Sequence, residues 1–398
     1  MESINMTKKQ DKIGALPVTV LGSTGSVGRQ TMDVAQLHGL RVEGIAGARN
    51  IALLEEQIRR FSPVYCGVED PEAAKLLRVA VADTQTKVLS GREGILWLAE
   101  NGDARVVLNS IIGTAGLAPT LAAIRAKKNV ALANKETLVT AGEFVMREAR
   151  KQGVSVLPVD SEHCAIFQCL NGEPHDRITR LILTCSGGAF HGKTRDQLSA
   201  MRKDDALAHP TWKMGAKITV DCASLMNKGL ELIEAVRLFD VAPDKVDIVI
   251  HKESIIHSMV EFCDRSVMAQ MALPDMRLCI QYALTYPDRM PSHLEPLDLR
   301  KIGTLTFSAP DEETFTLLPL ARRSVMEGGI KTAVLNGANE AAVSLFLQDK
   351  ITFTDIFDLV EEVVDETANM KAPTLSDIEE ADKEARNAVV RKASRRGV

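Results

Sequence analysis

The 398 residues of this chain are 45% hydrophobic and 25% charged, with a formal net charge of -5 at pH 7. That length predicts two or three domains rather than one core, and the acidic balance argues against nucleic acid as a partner, which calls for a basic surface. No apolar run reaches the roughly 18 residues that span a bilayer, so no membrane partner is expected.

Residues 1–10 are polar and lack the apolar core of a secretion signal. A cytoplasmic location is expected, with a plastid left open if a transit peptide has been removed. The seven cysteines are scattered without a C-x-x-C pair, which fits a reducing compartment and argues against a zinc site built on thiolates.

In chain order, residues 17–21 form a short β-branched run ending in Gly22-Ser23-Thr24-Gly25-Ser26-Val27-Gly28, and a helical pattern follows. Further strands are predicted at 41–46, 104–108, 129–133 and 154–159, separated by helical stretches such as 51–61 and 117–127. This alternation predicts a parallel sheet covered on both faces. From Ile178 the texture changes: strands are predicted at 181–184, 218–220, 246–250, 255–262 and 266–271, a second α+β domain on a largely antiparallel sheet. Residues 286–310 are rich in Pro, Asp and Ser and read as a linker. Helical periodicity then covers 317–327, 333–348, 353–370 and 376–394. The expected class is α/β, with domains at 1–159, 160–286 and 313–398 and a linker at 287–312.

The Gly22-x-x-Gly25-x-x-Gly28 spacing between a strand and a helix is that of a dinucleotide-binding turn. The glycines permit close backbone approach, and the helix start offers N–H groups to a pyrophosphate. An NAD site places a carboxylate at the end of the next strand to hold the ribose hydroxyls. Here that place is taken by Gly47-Ala48-Arg49-Asn50. Arg49 suits a 2′-phosphate, so NADP(H) is the expected cofactor of a Rossmann-type N-terminal domain.

Two polar segments carry the remaining chemistry. Asp160 and Glu162, in Pro158-Val159-Asp160-Ser161-Glu162, sit two apart after an apolar run and share a face if the strand continues. Asn227 and Glu231, in Asn227-Lys228-Gly229-Leu230-Glu231, sit four apart and share a face on a helix. Brought together, the three carboxylates would repel unless a hard divalent metal lay between them, leaving Asn227 and Lys228 to hold an anion. A plainer reading stays open for both segments, with Asp160 and Glu162 merely capping a turn, and with Asn227 as a helix cap and Glu231 as a first-turn acid.

With Asn134-Lys135-Glu136, Ser186-Gly187-Gly188, His209-Pro210-Thr211-Trp212, Met214-Gly215, His257-Ser258-Met259-Val260 and Pro274-Asp275-Met276-Arg277 also in order, the chain resembles the 1-deoxy-D-xylulose 5-phosphate reductoisomerase family nearly end to end. The resemblance implies a V-shaped homodimer with an NADPH domain, a catalytic domain, a linker and a C-terminal helical bundle. It implies conversion of 1-deoxy-D-xylulose 5-phosphate to 2-C-methyl-D-erythritol 4-phosphate, the committed step of the non-mevalonate isoprenoid pathway. It makes Asp160, Glu162 and Glu231 the ligands of Mg²⁺ or Mn²⁺. Lys135 and Ser161 lie at the substrate's hydroxyl-bearing carbons, and Ser186, His209, Asn227 and Lys228 at its phosphate. Thr24, Gly25, Ser26, Val27, Arg49, Asn50, Asn134, Glu136 and Gly215 line the NADPH site. Residues 206–215 correspond to a flap closing Trp212 and Met214 over the substrate. The catalytic set implied is Lys135, Asp160, Glu162 and Glu231. Two positions depart from the family: Cys222 stands where Ser is usual in a phosphate-touching segment, and Ala189 where Pro is usual. A thiol is the weaker donor, so the Cys222 contact is in question.

Two rival readings compete. An aldehyde or acyl-phosphate reductase would share the glycine loop but use a nucleophilic cysteine such as Cys185 and no metal. A non-catalytic NADPH-binding regulator would have an eroded carboxylate set, whereas all three acids are present.

Overall fold

The computed structural model describes residues 17–208 and 214–396, and the chain divides into two compact units. The first contains the chain up to Thr137 together with Val145–Cys164 and Asp275–Leu294; the second contains Leu138–Phe144, Ala165–Pro274 and the chain from Glu295.

In the first unit seven strands form one parallel sheet: β1 (Val18–Leu21), β2 (Val42–Gly47), β3 (Tyr65–Val68), β4 (Lys87–Ser90), β5 (Val106–Asn109), β6 (Asn129–Leu132) and β7 (Val156–Pro158), in the order β4-β3-β2-β1-β5-β6-β7. Every residue of β1, β2 and β5 is buried, as expected of central parallel strands covered on both faces. The winding reverses between β1 and β5, and a doubly wound sheet binds its ligand at such a switch point. The Ser26–His38 helix packs on Met276–Thr285, where His38 Nε2 and Gln281 Oε1 lie 2.9 Å apart.

Strands β3 and β4 carry no sequence signal of their own. Each has four residues, and β4, at the sheet edge, is Lys-Val-Leu-Ser with no fully buried position. The expected helix at 51–61 is present with those bounds.

The second unit holds a four-stranded sheet, β8 (Ile178–Cys185), β9 (Val246–Ile250), β10 (Ile256–Phe262) and β11 (Val267–Met271), ordered β11-β10-β8-β9. β10 is antiparallel to both neighbours, while β8 and β9 run parallel. A short helix, Leu299–Ile302, and four long ones follow: Leu317–Glu327, Lys331–Leu347, Phe353–Glu366 and Leu375–Arg395.

One predicted strand is wrong. Residues 218–220 belong to the Ala216–Ala223 helix. Ile218, Thr219 and Val220 favour a strand locally, but tertiary contacts override such preferences. Val220 and Ala223 are buried, and Asp221, 1% exposed, receives Lys217 Nζ at 2.9 Å and Asn339 Nδ2 at 2.8 Å. Both partners lie on helices of the second unit, so Asp221 is satisfied only if its own segment coils. Among the described residues no helix is long and apolar enough to cross a membrane.

Candidate active site

The glycine turn follows directly from β1. Gly22 has φ +85°, and a Cβ there would meet the Ser110 backbone at 2.9 Å. At Gly28 a Cβ would lie 2.1 Å from the Gly22 carbonyl oxygen, so only glycine fits. Ser23 is fully buried: its hydroxyl donates to Gln57 Oε1 at 2.7 Å, and Gln57 Nε2 donates back to the Ser23 carbonyl at 2.9 Å. Gln57 thus locks the loop from the next helix, a role no motif announces. Thr24 lies against Gly47, where a Cβ would come within 3.1 Å of it. The Ser26–His38 helix starts after Gly25 with no side chain capping it, which leaves the N–H groups around Ser26 and Val27 for an anion.

At the end of β2, Arg49 is 82% exposed and its Nε donates to Asp70 Oδ2 at 2.8 Å. The Ala73 amide, with Arg49 and the Glu72 amide, holds the Asp70 carboxyl below its usual range. An exposed pair of this kind adds little to stability because solvent screens it, so Arg49 is readily released to a phosphate. Asn50 caps the following helix, accepting from the Leu53 amide at 3.2 Å. Arg49→Glu is expected to weaken NADPH binding by roughly ten- to a hundredfold, from the loss of one charged contact and the gain of a repulsive one, with little change for NADH. Parallel fluorescence titrations measure this, and equal losses would remove Arg49 from 2′-phosphate recognition.

Asn134 and Glu136 stand at the start of the Lys135–Gln152 helix. Asn134 is buried, and its Nδ2 donates to the Gly113 carbonyl at 2.8 Å while its Oδ1 accepts from the Thr137 amide at 2.9 Å and from the Thr137 hydroxyl. Its side chain therefore holds the loop after β5 in shape. Between them, Lys135 reaches Asp160, with Nζ 2.6 Å from Oδ2 and both side chains largely buried.

Asp160 and Glu162 do not share the face of a strand, as their spacing suggests. β7 ends at Pro158, and a helix spans Ser161–Cys169, with the Asp160 carbonyl accepting from the Cys164 amide at 2.8 Å. Pro158 ends the strand, and Ser161 and Glu162, suited to a helix's first turn, begin the coil. Ser161 Oγ donates to Glu162 Oε2 at 2.6 Å.

The second unit arranges the other polar segment as a helix face. Met226–Phe239 is helical, Asn227 Nδ2 donates to Glu231 Oε1 at 2.5 Å, and Lys228 Nζ pairs with Glu231 Oε2. The cap position belongs to Leu225, in the left-handed region at φ +59°, which removes the reading of Asn227 as a cap. Glu231 is 1% and Lys228 3% exposed, so these charges are buried and mutually satisfied. Gly229, between them, seats the helix on Leu317–Glu327: an added Cβ would lie 2.7 Å from Ala321 Cβ. Gly229→Ala is expected to destabilise the protein by about 1–3 kcal/mol through overpacking, read as a lower urea midpoint; an unchanged midpoint would mean that the helices part without cost.

Ser186 lies on the loop after β8. Gly188, at φ +69°, rests on the backbone of Cys222, where a Cβ would come within 2.3 Å of the Cys222 carbonyl oxygen. The loop and the Ala216–Ala223 helix are thereby joined, which brings the Ser186 loop to Cys222. A cavity of about 280 Å³ opens beside the loop, lined by Ser186, Gly188, Ala189, His191, Ala208 and Lys252. Sequence spacing singles out neither His191 nor Lys252. Gly215 caps the Ala216–Ala223 helix, its carbonyl accepting from the Thr219 hydroxyl at 2.8 Å. His209 and Trp212 lie in residues 209–213 of the expected flap, outside the described residues.

The family models for 1-deoxy-D-xylulose 5-phosphate reductoisomerase match residues 18–142, and those for its C-terminal domains match 156–239 and 271–388. A reductoisomerase of this name from Halalkalibacterium halodurans is 50% identical over 372 residues, covering 93% of this chain and 97% of that protein. The chain belongs to the 1-deoxy-D-xylulose 5-phosphate reductoisomerase family. A second relative, from Bacillus cereus strain Q1, is 50% identical over 376 residues, covering 94% of this chain and 98% of that protein. Among solved structures, the reductoisomerase of Zymomonas mobilis in complex with NADPH superposes with a TM-score of 0.90 at 40% identity, over 95% of this chain and 99% of that one. A complex of the family enzyme with NADPH, fosmidomycin and magnesium gives 0.90 at 38% identity, over 95% and 98%.

Proposed function

We propose that this chain rearranges 1-deoxy-D-xylulose 5-phosphate and reduces the product with NADPH to 2-C-methyl-D-erythritol 4-phosphate, using a divalent metal. Family membership along nearly the whole chain carries the reading. Two local fits support it. The glycine turn packs so closely on its helix that a Cβ at Gly28 would strike the Gly22 oxygen and the Ser23 backbone, the tight packing that a dinucleotide-binding turn uses to aim its helix N-terminus at a pyrophosphate. Asp160, Glu162 and Glu231 offer only oxygen donors, which suits Mg²⁺ or Mn²⁺ and not a thiophilic metal.

When bound, the metal polarises the substrate's ketone oxygen and offsets charge developing beside it, and NADPH supplies the hydride. The chain's own residues do the rest. Lys135, held by Asp160 at 2.6 Å, places an ammonium where an alkoxide forms and stabilises it. Ser161 orients a substrate hydroxyl. Ser186, Asn227 and Lys228, with His209 and Cys222, take the phosphate, so remote binding energy positions the reacting carbons. Thr24 to Val27, Arg49, Asn50, Glu136 and Gly215 receive NADPH, with Asn134 shaping its floor.

In this reading residues 1–159 serve NADPH, 160–286 carry metal and substrate, and 313–398, reached through 287–312, form the helical domain of a cytoplasmic homodimer. The deciding experiment is NADPH oxidation with 1-deoxy-D-xylulose 5-phosphate, with and without Mn²⁺. Turnover is expected only with metal, to be abolished by chelation and to survive thiol alkylation. Chelator-resistant, alkylation-sensitive reduction would favour the cysteine-dependent reductase instead.

A further inference from the structure

Two basic side chains face the cavity beside Ser186 without a role in the reaction described above. Lys252 is exposed, on the turn that follows β9. That turn is rigid: His251 is fully buried, and its Nε2 accepts from the Ile255 and Ile256 amides at 3.2 and 3.1 Å. Accepting twice at Nε2 leaves Nδ1 to carry the proton, which it donates to the Thr306 carbonyl at 2.9 Å. Glu253, on the same turn, accepts from the Thr306 hydroxyl at 2.7 Å. The backbone on both sides of Lys252 is therefore pinned, and the lysine is carried at a defined place.

His191 comes from the other side. It packs against Gly187, at φ +89°, where a Cβ would lie 3.0 Å from the His191 side chain. Partial burial lowers the His191 pKa, the Lys252 ammonium lowers it further, and Asp311 opposes them. Asp311 is itself engaged, accepting from the Thr314 amide at 3.0 Å. An ammonium, an imidazole and the Ser186 hydroxyl thus line one small space, with no carboxylate among the described lining residues. A cavity of about 280 Å³ sits at or below the lower end for a whole drug-sized ligand, so it suits one anionic group.

We propose that Lys252 and His191, with Ser186, form a phosphate-recognising wall, in which Lys252 supplies the charge and His191 a neutral hydrogen-bonding edge. The inference rests on the assignment of Ser186 to the substrate's phosphate end and extends that site by two residues. The ligand is a phosphate dianion, either the monoester tail of the substrate or free inorganic phosphate competing for the same place. An incoming dianion would replace the lysine's repulsion of a proton on His191 with an attraction, so binding should draw the His191 pKa upward.

The test has two arms. In the first, the wild type, Lys252→Met and Lys252→Arg are compared in steady-state turnover of 1-deoxy-D-xylulose 5-phosphate, with inorganic phosphate as inhibitor. Lys252→Met should raise KM and the phosphate inhibition constant together by roughly tenfold, as one charge-assisted contact implies, with the effect in KM rather than in kcat, and Lys252→Arg should restore both. A parallel change in both constants assigns the wall to either source of phosphate, and a change in KM alone assigns it to the substrate tail. Unchanged values for Lys252→Met would overturn the inference, and a raised KM in Ser186→Ala alongside them would show that the phosphate end itself is correctly placed. In the second arm, NMR titration of His191 in the NADPH-loaded protein, with and without inorganic phosphate, needs no turnover. An upward shift supports the wall, and no shift with phosphate bound elsewhere overturns it.

Discussion

Glu231→Gln should lower turnover by on the order of 10²- to 10³-fold while NADPH affinity stays at the wild-type value. The substitution keeps shape and the ability to accept a hydrogen bond from Asn227, but removes the charge that a hard cation needs. Loss of several kcal/mol of charge stabilisation corresponds to that rate factor. The same change leaves Lys228 buried beside a neutral amide, where it now pairs with Glu231, and uncompensated burial of a charge is costly. Some loss of stability is therefore expected as well, and circular dichroism at the assay temperature separates it from the catalytic effect. A folded Glu231→Gln protein with normal kcat would dismiss the carboxylate as a metal ligand.

Gly28→Ala should act at the cofactor and not at the metal. Its Cβ would lie 2.1 Å from the Gly22 oxygen and 2.6 and 2.7 Å from Ser23 backbone atoms, all of them backbone with no side chain to swing aside. The turn must open, at a cost of about 1–3 kcal/mol or more. Because the turn is also the cradle for the pyrophosphate, NADPH affinity should fall by at least roughly tenfold, and the melting temperature should drop by several degrees. Fluorescence titration and calorimetry measure the two. Retention of both wild-type values would show that the turn accommodates a side chain and is not shaped by close approach.

Much of this was legible in the residues because the relevant chemistry is local. The glycine spacing reports a backbone that permits no Cβ, and the i, i+4 relation of Asn227 and Glu231 survives into the structure as a direct hydrogen bond. Where signals depend on partners distant in sequence, reading them locally fails. Ile218 to Val220 look like strand until Asp221 is seen satisfied by Asn339, over a hundred residues away. Asp160 and Glu162 look like a strand pair because a single Pro and a single Ser mark the boundary. β4 at its sheet edge lacks the apolar run that identifies buried strands. Lys252 and His191 escape altogether, since what relates them is a cavity and not a spacing.

The contact between Gly188 and Cys222 has a consequence for tolerance to sequence change. It is made by the Cys222 carbonyl, so it is indifferent to the side chain at that position. This one contact therefore survives an exchange of thiol for hydroxyl at residue 222, while residue 188 is confined to glycine by its left-handed backbone and by the closeness of that carbonyl.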